Sequence, residues 1–179
     1  MSSKLASTFF EFFALPQSYE IDLDALEQAY RRVQASVHPD RFANAPQAQR
    51  RYAMQLASRA NEGVRVLRDP LSRARYLCEL HGVDVAAESN TAMAPDFLEL
   101  QMGWREALDD ILEHHDRERL QVLTAEIDNE RLSLQATLQD RLREPADAAG
   151  AGDAVRRWMF VERIADELHR ARKQIDKDT

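Results

Sequence analysis

Pro39 stands at the end of an apolar stripe with helical spacing, and it decides where that helix must stop. Leu26, Tyr30, Val33 and Val37 fall at i, i+4, i+7 and i+11, along one face of a 3.6-residue period. Asp22 offers an N-cap, with Ile21 and Leu26 able to form a hydrophobic staple across it. Proline lacks an amide hydrogen and pushes the residue before it toward extended geometry. The helix is therefore expected to end at about Val37, with His38 in an exposed turn. A second stripe, Tyr52, Leu56, Ala60, Gly63 or Val64, and Leu67, predicts a helix over 48–67 that stops at Arg68-Asp69-Pro70. A short aromatic segment (Phe9, Phe10, Phe12, Phe13) precedes this pair and an apolar run over 71–77 follows it. The first 80 residues thus read as an antiparallel helical hairpin with flanking helices.

Five glycines and six prolines in 179 residues are few, which suits an all-α chain. After a weakly periodic stretch, taken as a linker over 81–95, three further helices are expected at about 96–113, 117–143 and 153–175. Their stripes are Phe97, Leu100, Trp104, Leu108 and Ile111; then Leu120, Leu123, Ile127, Leu134, Leu138 and Leu142, interrupted by Arg131; then Ile164, Leu168, Ala171 and Ile175. Glu144-Pro145 and the Ala/Gly-rich run to Gly152 should separate the last two. Residues 96–179 are expected to close into a three-helix bundle whose stripes fill a core rather than hold a cofactor.

Charge divides along the same line. Residues 1–76 carry a net charge of +3 and residues 77–179 a net charge of −10, and within 31–75 ten basic side chains face three acidic ones. One half should seek an acidic partner and the other should not. The single cysteine, Cys78, excludes an intrachain disulfide and a Cys-Cys metal site, and its apolar neighbours Leu77 and Leu80 suit a small buried hydrophobe. No cofactor and no metal are expected. No apolar stretch is long enough to span a bilayer, and the N-terminal aromatic cluster, broken by Glu11, makes a poor signal peptide. The expectation is a cytoplasmic protein without a membrane partner.

Two surfaces carry candidate chemistry. Arg31 and Arg32 lie around the helix from the Leu26 stripe, beside His38, Pro39, Asp40 and Arg41. Guanidinium groups clustered at one stiff turn favour orientation-specific docking on carboxylates. The plainer alternatives are a solvated helix face and a capping turn made by His38 and Asp40. On the first bundle helix, Leu98, Met102, Glu106 and Asp110 form a slanted i, i+4 row outside the core wedge. Two apolar groups followed by two acids suit an exposed docking strip; a wider buried face is the alternative.

The helix pair around His38-Pro39-Asp40, with Asn61-Glu62-Gly63, Leu67-Arg68-Asp69-Pro70 and Arg73-Ala74 behind it, resembles a J domain. Beyond it, Arg73-Ala74-Arg75-Tyr76-Leu77, Leu80-His81-Gly82-Val83-Asp84 and the run from Phe97-Leu98 through Arg105-Glu106-Ala107-Leu108-Asp109-Asp110-Ile111 are similar to the HscB family of iron-sulfur co-chaperones. The likeness covers nearly the whole chain. It implies a J domain that docks on a DnaK-class chaperone (HscA) and stimulates its ATP hydrolysis through Arg31, Arg32, His38, Pro39, Asp40 and Arg41. It also implies a C-terminal domain that holds the cluster scaffold IscU through Leu98, Met102, Glu106, Asp110 and Phe160. Gly103 departs from the pattern, standing where an acidic residue is expected.

Competing readings are weaker. Glu113-His114-His115-Asp116 lacks the i, i+4 histidines of a zincin helix and suits a helix end, and neither a phosphate loop nor a nucleophile elbow is present, so the chain is not expected to be an enzyme. Nucleic-acid binding is disfavoured by the overall net charge of −7. A general J-domain adaptor for another client is the main alternative.

Overall fold

The computed structural model describes residues 8–42, 45–85, 95–143 and 146–177. These residues form seven α-helices and one 3-10 turn, with no strand among them, in two compact units that divide between Leu77 and Cys78. The fold is all-α, as expected.

In the first unit, α1 (Phe9–Phe13) opens with a capping box in which Thr8 and Glu11 satisfy each other's backbone amides. Phe9, Phe10 and Phe13 are buried. The Tyr76 hydroxyl accepts a hydrogen bond from the Phe9 amide at 3.0 Å, and its ring packs on Phe9 and Phe10. The α2 helix (Leu23–Ser36) starts at Asp22, whose carboxylate accepts from the amides of Asp24 and Ala25, and it stops with Val37 as C-cap. The 3-10 turn Pro39–Phe42 follows at once. α3 (Gln47–Arg68) runs back along α2, and Tyr30, Gln34 and Asn61 share hydrogen bonds between the two helices.

One part of the α3 stripe is rotated from expectation. Tyr52 is exposed and Ala53 is buried in its place, so the core phase is Ala53, Ala60, Val64 and Leu67. Gly63 belongs to that phase for a steric reason: a Cβ there would lie 2.8 Å from Phe9 and 2.9 Å from Phe13, so α1 can lie on α3 only over a bare backbone. Pro70 both ends α3 and begins α4 (Pro70–Leu80), where a missing amide costs nothing, and Asp69 caps the new helix through the Ser72 amide at 2.7 Å. Buried Arg73 donates to the carbonyls of Tyr19, Leu67 and Arg68, tying the α1–α2 connection to the carbonyl end of α3.

The second unit holds α5 (Pro95–His114), α6 (Arg117–Arg141) and α7 (Ala148–Lys177). Each packs on the other two. Phe97, Trp104, Leu108 and Ile111 of α5 are buried with Ile127, Leu134 and Leu138 of α6 and Val155, Trp158, Val161 and Ile164 of α7. Each fully buried apolar side chain of this kind contributes about 1.5–3 kcal/mol. Leu100 is only half-buried. Arg131 does not break the α6 stripe, because its guanidinium meets the Glu162 carboxylate at 2.7 and 3.3 Å and Asp128 at 2.5 Å. Glu162 is held in turn by the Trp158 indole.

The Ala/Gly-rich run belongs to a helix rather than to a break. α7 begins five residues earlier than expected because Asp147 accepts from the Gly150 amide at 3.0 Å, an N-cap that outweighs the poor helix propensity of glycine. Gly152 is buried, and a Cβ on it would lie 2.8 Å from Val83 Cγ1. Val85 is buried as well, so residues 83 and 85 pack with the bundle. The remainder of the expected linker, 86–94, lies outside the described residues, as does Glu144-Pro145. His114 ends α5 and His115 adopts a left-handed conformation in the turn before Asp116 caps α6.

Candidate partner-binding surfaces

The first surface is built where α2 stops. Val37 is buried and anchors the helix end, and the next residues are turned outward by the proline that starts the 3-10 turn. The side chains of His38 and Asp40 are 59% and 89% exposed. The Asp40 amide donates to His38 Nδ1 at 3.3 Å, and the Asp40 carboxylate lies 3.5 Å from the same nitrogen. The Arg41 amide closes the turn on the His38 carbonyl at 3.0 Å. The Pro39 ring lies outside the described side chains.

The flanking cations are not equivalent. Arg31 and Arg32 are exposed, and Arg31 Nε donates to Glu27 at 3.0 Å. Glu27 also accepts from Arg68 of α3, so one carboxylate serves a guanidinium on each helix. Arg41 folds back, its Nη1 donating to the Ala35 carbonyl at 3.2 Å. It therefore caps α2, and the structure gives it a holding role in the turn beside its charge. These groups can dock a carboxylate-bearing surface.

The second surface is the outer side of α5. The core residues Phe97, Trp104, Leu108 and Ile111 lie on one side, and the i, i+4 row falls on the other: Leu98 is 44% and Met102 62% exposed, and Glu106 and Asp110 are exposed as well. The wider buried face does not form. Asp110 is engaged within the unit, its Oδ2 lying 3.4 Å from Arg119 Nη2. Phe160 of α7 is half-buried, with ring centroids 5.9 Å from Phe97 and 6.5 Å from Trp104, so it is joined to α5 through an aromatic cluster. Gly103 is exposed, and a Cβ built there meets open space.

Burial pushes the Cys78 thiol up to about 11, which suits an inert core residue. Sequence reasoning passed over Met54. Met54 is 72% exposed and, with exposed Tyr52, flanks buried Ala53; the signal available was a thioether one residue outside the helical phase of Ala53 and Ala60. Among the described residues no group of three His, Cys, Asp or Glu could hold a metal ion, and no helix is long and apolar enough to cross a membrane.

Comparison with known proteins agrees with this architecture. Residues 93–169 match the family model described as the HscB C-terminal oligomerisation domain. The chain is 52% identical to the co-chaperone HscB homolog of Bordetella avium, over 91% of this chain and 96% of that one. It is 48% identical to the homolog of Cupriavidus taiwanensis, over 96% and 97%. Among solved structures, chaperone HscB from Vibrio cholerae superimposes with a TM-score of 0.80 at 31% identity, covering 94% of this chain and 99% of that one. Human co-chaperone HscB shares the fold with a TM-score of 0.85 at 20% identity, over 94% of this chain and 84% of that one. A helical hairpin with an exposed His38-Pro39-Asp40 turn, followed by a three-helix unit and matched along nearly its full length, places this chain in the HscB co-chaperone family.

Proposed function

We propose that the chain is a two-handed adaptor of iron-sulfur cluster assembly in the cytoplasm. Residues 1–80 form a J domain and 96–179 a scaffold-binding domain. Arg31, Arg32, His38, Pro39, Asp40 and Arg41 dock the specialised DnaK-class chaperone HscA and stimulate its ATP hydrolysis. Leu98, Met102, Glu106, Asp110 and Phe160 hold the scaffold protein IscU. The adaptor brings the two into one complex and so raises their effective concentration, coupling cluster transfer to ATP turnover. It carries out no chemistry itself. Stimulation requires contacts stronger in the hydrolysis-competent state of the chaperone, at about 1.4 kcal/mol for each tenfold in rate.

The observation that carries this reading is the exposure of two unlike surfaces in one chain of this family: a cationic turn around His38 and Asp40, and the apolar-acidic row from Leu98 to Asp110. The second surface is tested by calorimetric titration of IscU into the protein. Leu98→Ala/Met102→Ala should weaken binding at least tenfold while His38→Gln binds as wild type. Unchanged affinity of the double variant would remove IscU binding from this row. Gly103, bare where an acid is expected, favours a second reading in which the row holds another client, and that reading gains if wild type itself fails to bind IscU.

A further inference from the structure

α6 is apolar on two opposite sides. Leu120, Leu123, Ile127, Leu134 and Leu138 are buried and face the bundle core. At about 100° per residue, Val122, Ala125, Asn129, Leu132 and Ala136 fall within an arc of about 80° whose centre lies about 180° around the helix from that core. All five are exposed, Val122 at 68% and Leu132 at 63%. A helix that packs by one face ordinarily carries its charge on the other. α6 instead leaves an uncharged stripe about 21 Å long. Its intervals of 3, 4, 3 and 4 residues are the a–d spacing of a coiled-coil seam, with Val122, Asn129 and Ala136 at a and Ala125 and Leu132 at d. The core of the unit is complete without it.

We infer that this stripe docks one basic amphipathic helix of another protein, paired with α6 in the manner of a two-stranded coiled coil. It is a third surface, on a different helix from the row that starts at Leu98. Charge selects the occupant. Through an arc of about 160° from Asp128 across the stripe to Glu126, every charged side chain of α6 is acidic: Glu118, Glu126, Asp128 and Asp140. Glu126 is shared with the Trp104 indole and Asp128 with Arg131, while Glu118 and Asp140 stand exposed at the two ends of the stripe. The neighbouring cations turn elsewhere, Arg119 to Asp110 and Arg131 to Glu162. Lys or Arg at the e and g positions of an incoming helix therefore meets acids along the seam. A second copy fits poorly. Parallel self-pairing sets Glu118 against Glu118 and Asp140 against Asp140, and antiparallel pairing about Asn129 brings Glu118 toward Asp140, each being 11 residues from it. Asn129 adds register, because a buried amide at an a position is satisfied only in the alignment that offers it a polar partner.

The test titrates two synthetic peptides into the isotope-labelled full chain and follows its amide resonances. Both peptides have about three heptads, with Ile at a, Leu at d and one central Asn at a; one carries Lys at every e and g position and the other Glu. The Lys peptide is expected to shift amides within 118–140 and to bind about tenfold or more tighter than the Glu peptide. Leu132→Glu should weaken it about tenfold or more, Leu132→Met should keep it, and Glu118→Lys/Asp140→Lys should remove the preference between the peptides. Circular dichroism melting checks that each variant is folded, and all these positions are exposed. Unshifted α6 amides with both peptides would overturn the seam. So would wild-type affinity of Leu132→Glu for the Lys peptide, since adsorption by charge alone would then suffice. A dimer in sedimentation equilibrium that Leu132→Glu dissociates would assign the stripe to a second copy and also overturn the proposal. Leu132→Glu should leave IscU binding unchanged; its loss in that variant would merge the stripe with the row at Leu98 and overturn a separate seam, whereas failure of wild type to bind IscU would touch only the earlier reading.

Discussion

The guanidinium of Arg41 lies 3.2 Å from the backbone carbonyl of Ala35, so the residue that follows the His38-Pro39-Asp40 turn caps the helix that precedes it. A helix C-terminus carries partial negative charge, and a cation there is favourable by about 0.3–1 kcal/mol. Arg41→Ala should cost about that much in urea unfolding. It should also speed hydrogen exchange at the Val37 amide, which bonds to the Val33 carbonyl at 3.1 Å. Arg41→Lys, with charge but no planar fork, should fall between the two. Unchanged exchange at Val37 in Arg41→Ala would show that the contact does not hold the turn.

The same substitution should act with opposite sign at two helical glycines. Gly103→Ala fills open space and gains helix propensity, so it should stabilise the second unit by about 1 kcal/mol. Gly63→Ala places a methyl group less than 3 Å from two buried phenylalanine rings, and overpacking of about 1–3 kcal/mol exceeds the propensity gain. Thermal melts of the two variants check the pair of signs. A destabilised Gly103→Ala would mean that the outer side of α5 is not open.

Tyr19 makes the first unit sensitive to alkali. Burial raises its phenol from the ordinary 10.0 to about 12, against the opposing pull of Arg73. A group whose folded pKa lies above its unfolded one contributes stability that is complete below the unfolded value and is lost as pH rises through the folded value. Stability should therefore fall between about pH 10 and 12. Cys78, raised from 9.0 to about 11, acts in the same direction in the second unit. The Tyr19 hydroxyl is buried without a hydrogen-bond partner. Tyr19→Phe should consequently be near neutral at pH 7 and should flatten the alkaline loss, as followed by far-ultraviolet circular dichroism. An unchanged alkaline profile in a Tyr19→Phe/Cys78→Ala variant would contradict the assignment.

Arg131 and Glu162 join α6 to α7 through two parallel hydrogen bonds. Their side chains are 30% and 40% exposed, so solvent screens the pair and a double-mutant cycle of Arg131→Met and Glu162→Gln should return a coupling of about 1 kcal/mol, smaller in high salt. A coupling indistinguishable from zero at low salt would reduce Arg131 to a solvated residue.

Much of this architecture is legible in residue spacing. The Leu26 to Val37 stripe, Asp22 and Pro39 locate α2 and its end because caps and prolines act locally. The α7 start is not legible that way. Gly150 and Gly152 weaken the helix propensity that Ala148, Ala149 and Ala151 supply, and the Asp147 cap and the packing of Val83 on Gly152, neither evident from spacing, favour the helix. Arg131 is misleading for a related reason, since its partner Glu162 lies 31 residues away. The exposure of Leu98 and Met102 follows from helical phase alone, whereas the core side of α3 depends on which of its residues turns inward. Tyr52 and Ala53 are adjacent in sequence, and the tertiary packing chooses the smaller.

The most direct measurement is the ATPase rate of the DnaK-class chaperone HscA, with and without IscU, in the presence of wild type, His38→Gln or Leu98→Ala/Met102→Ala. Stimulation should vanish with His38→Gln while IscU binding persists, and the double variant should retain basal stimulation but lose most of the further increase produced by IscU. If both folded variants lose both properties together, or if His38→Gln stimulates as wild type does, the two surfaces do not divide the work as described.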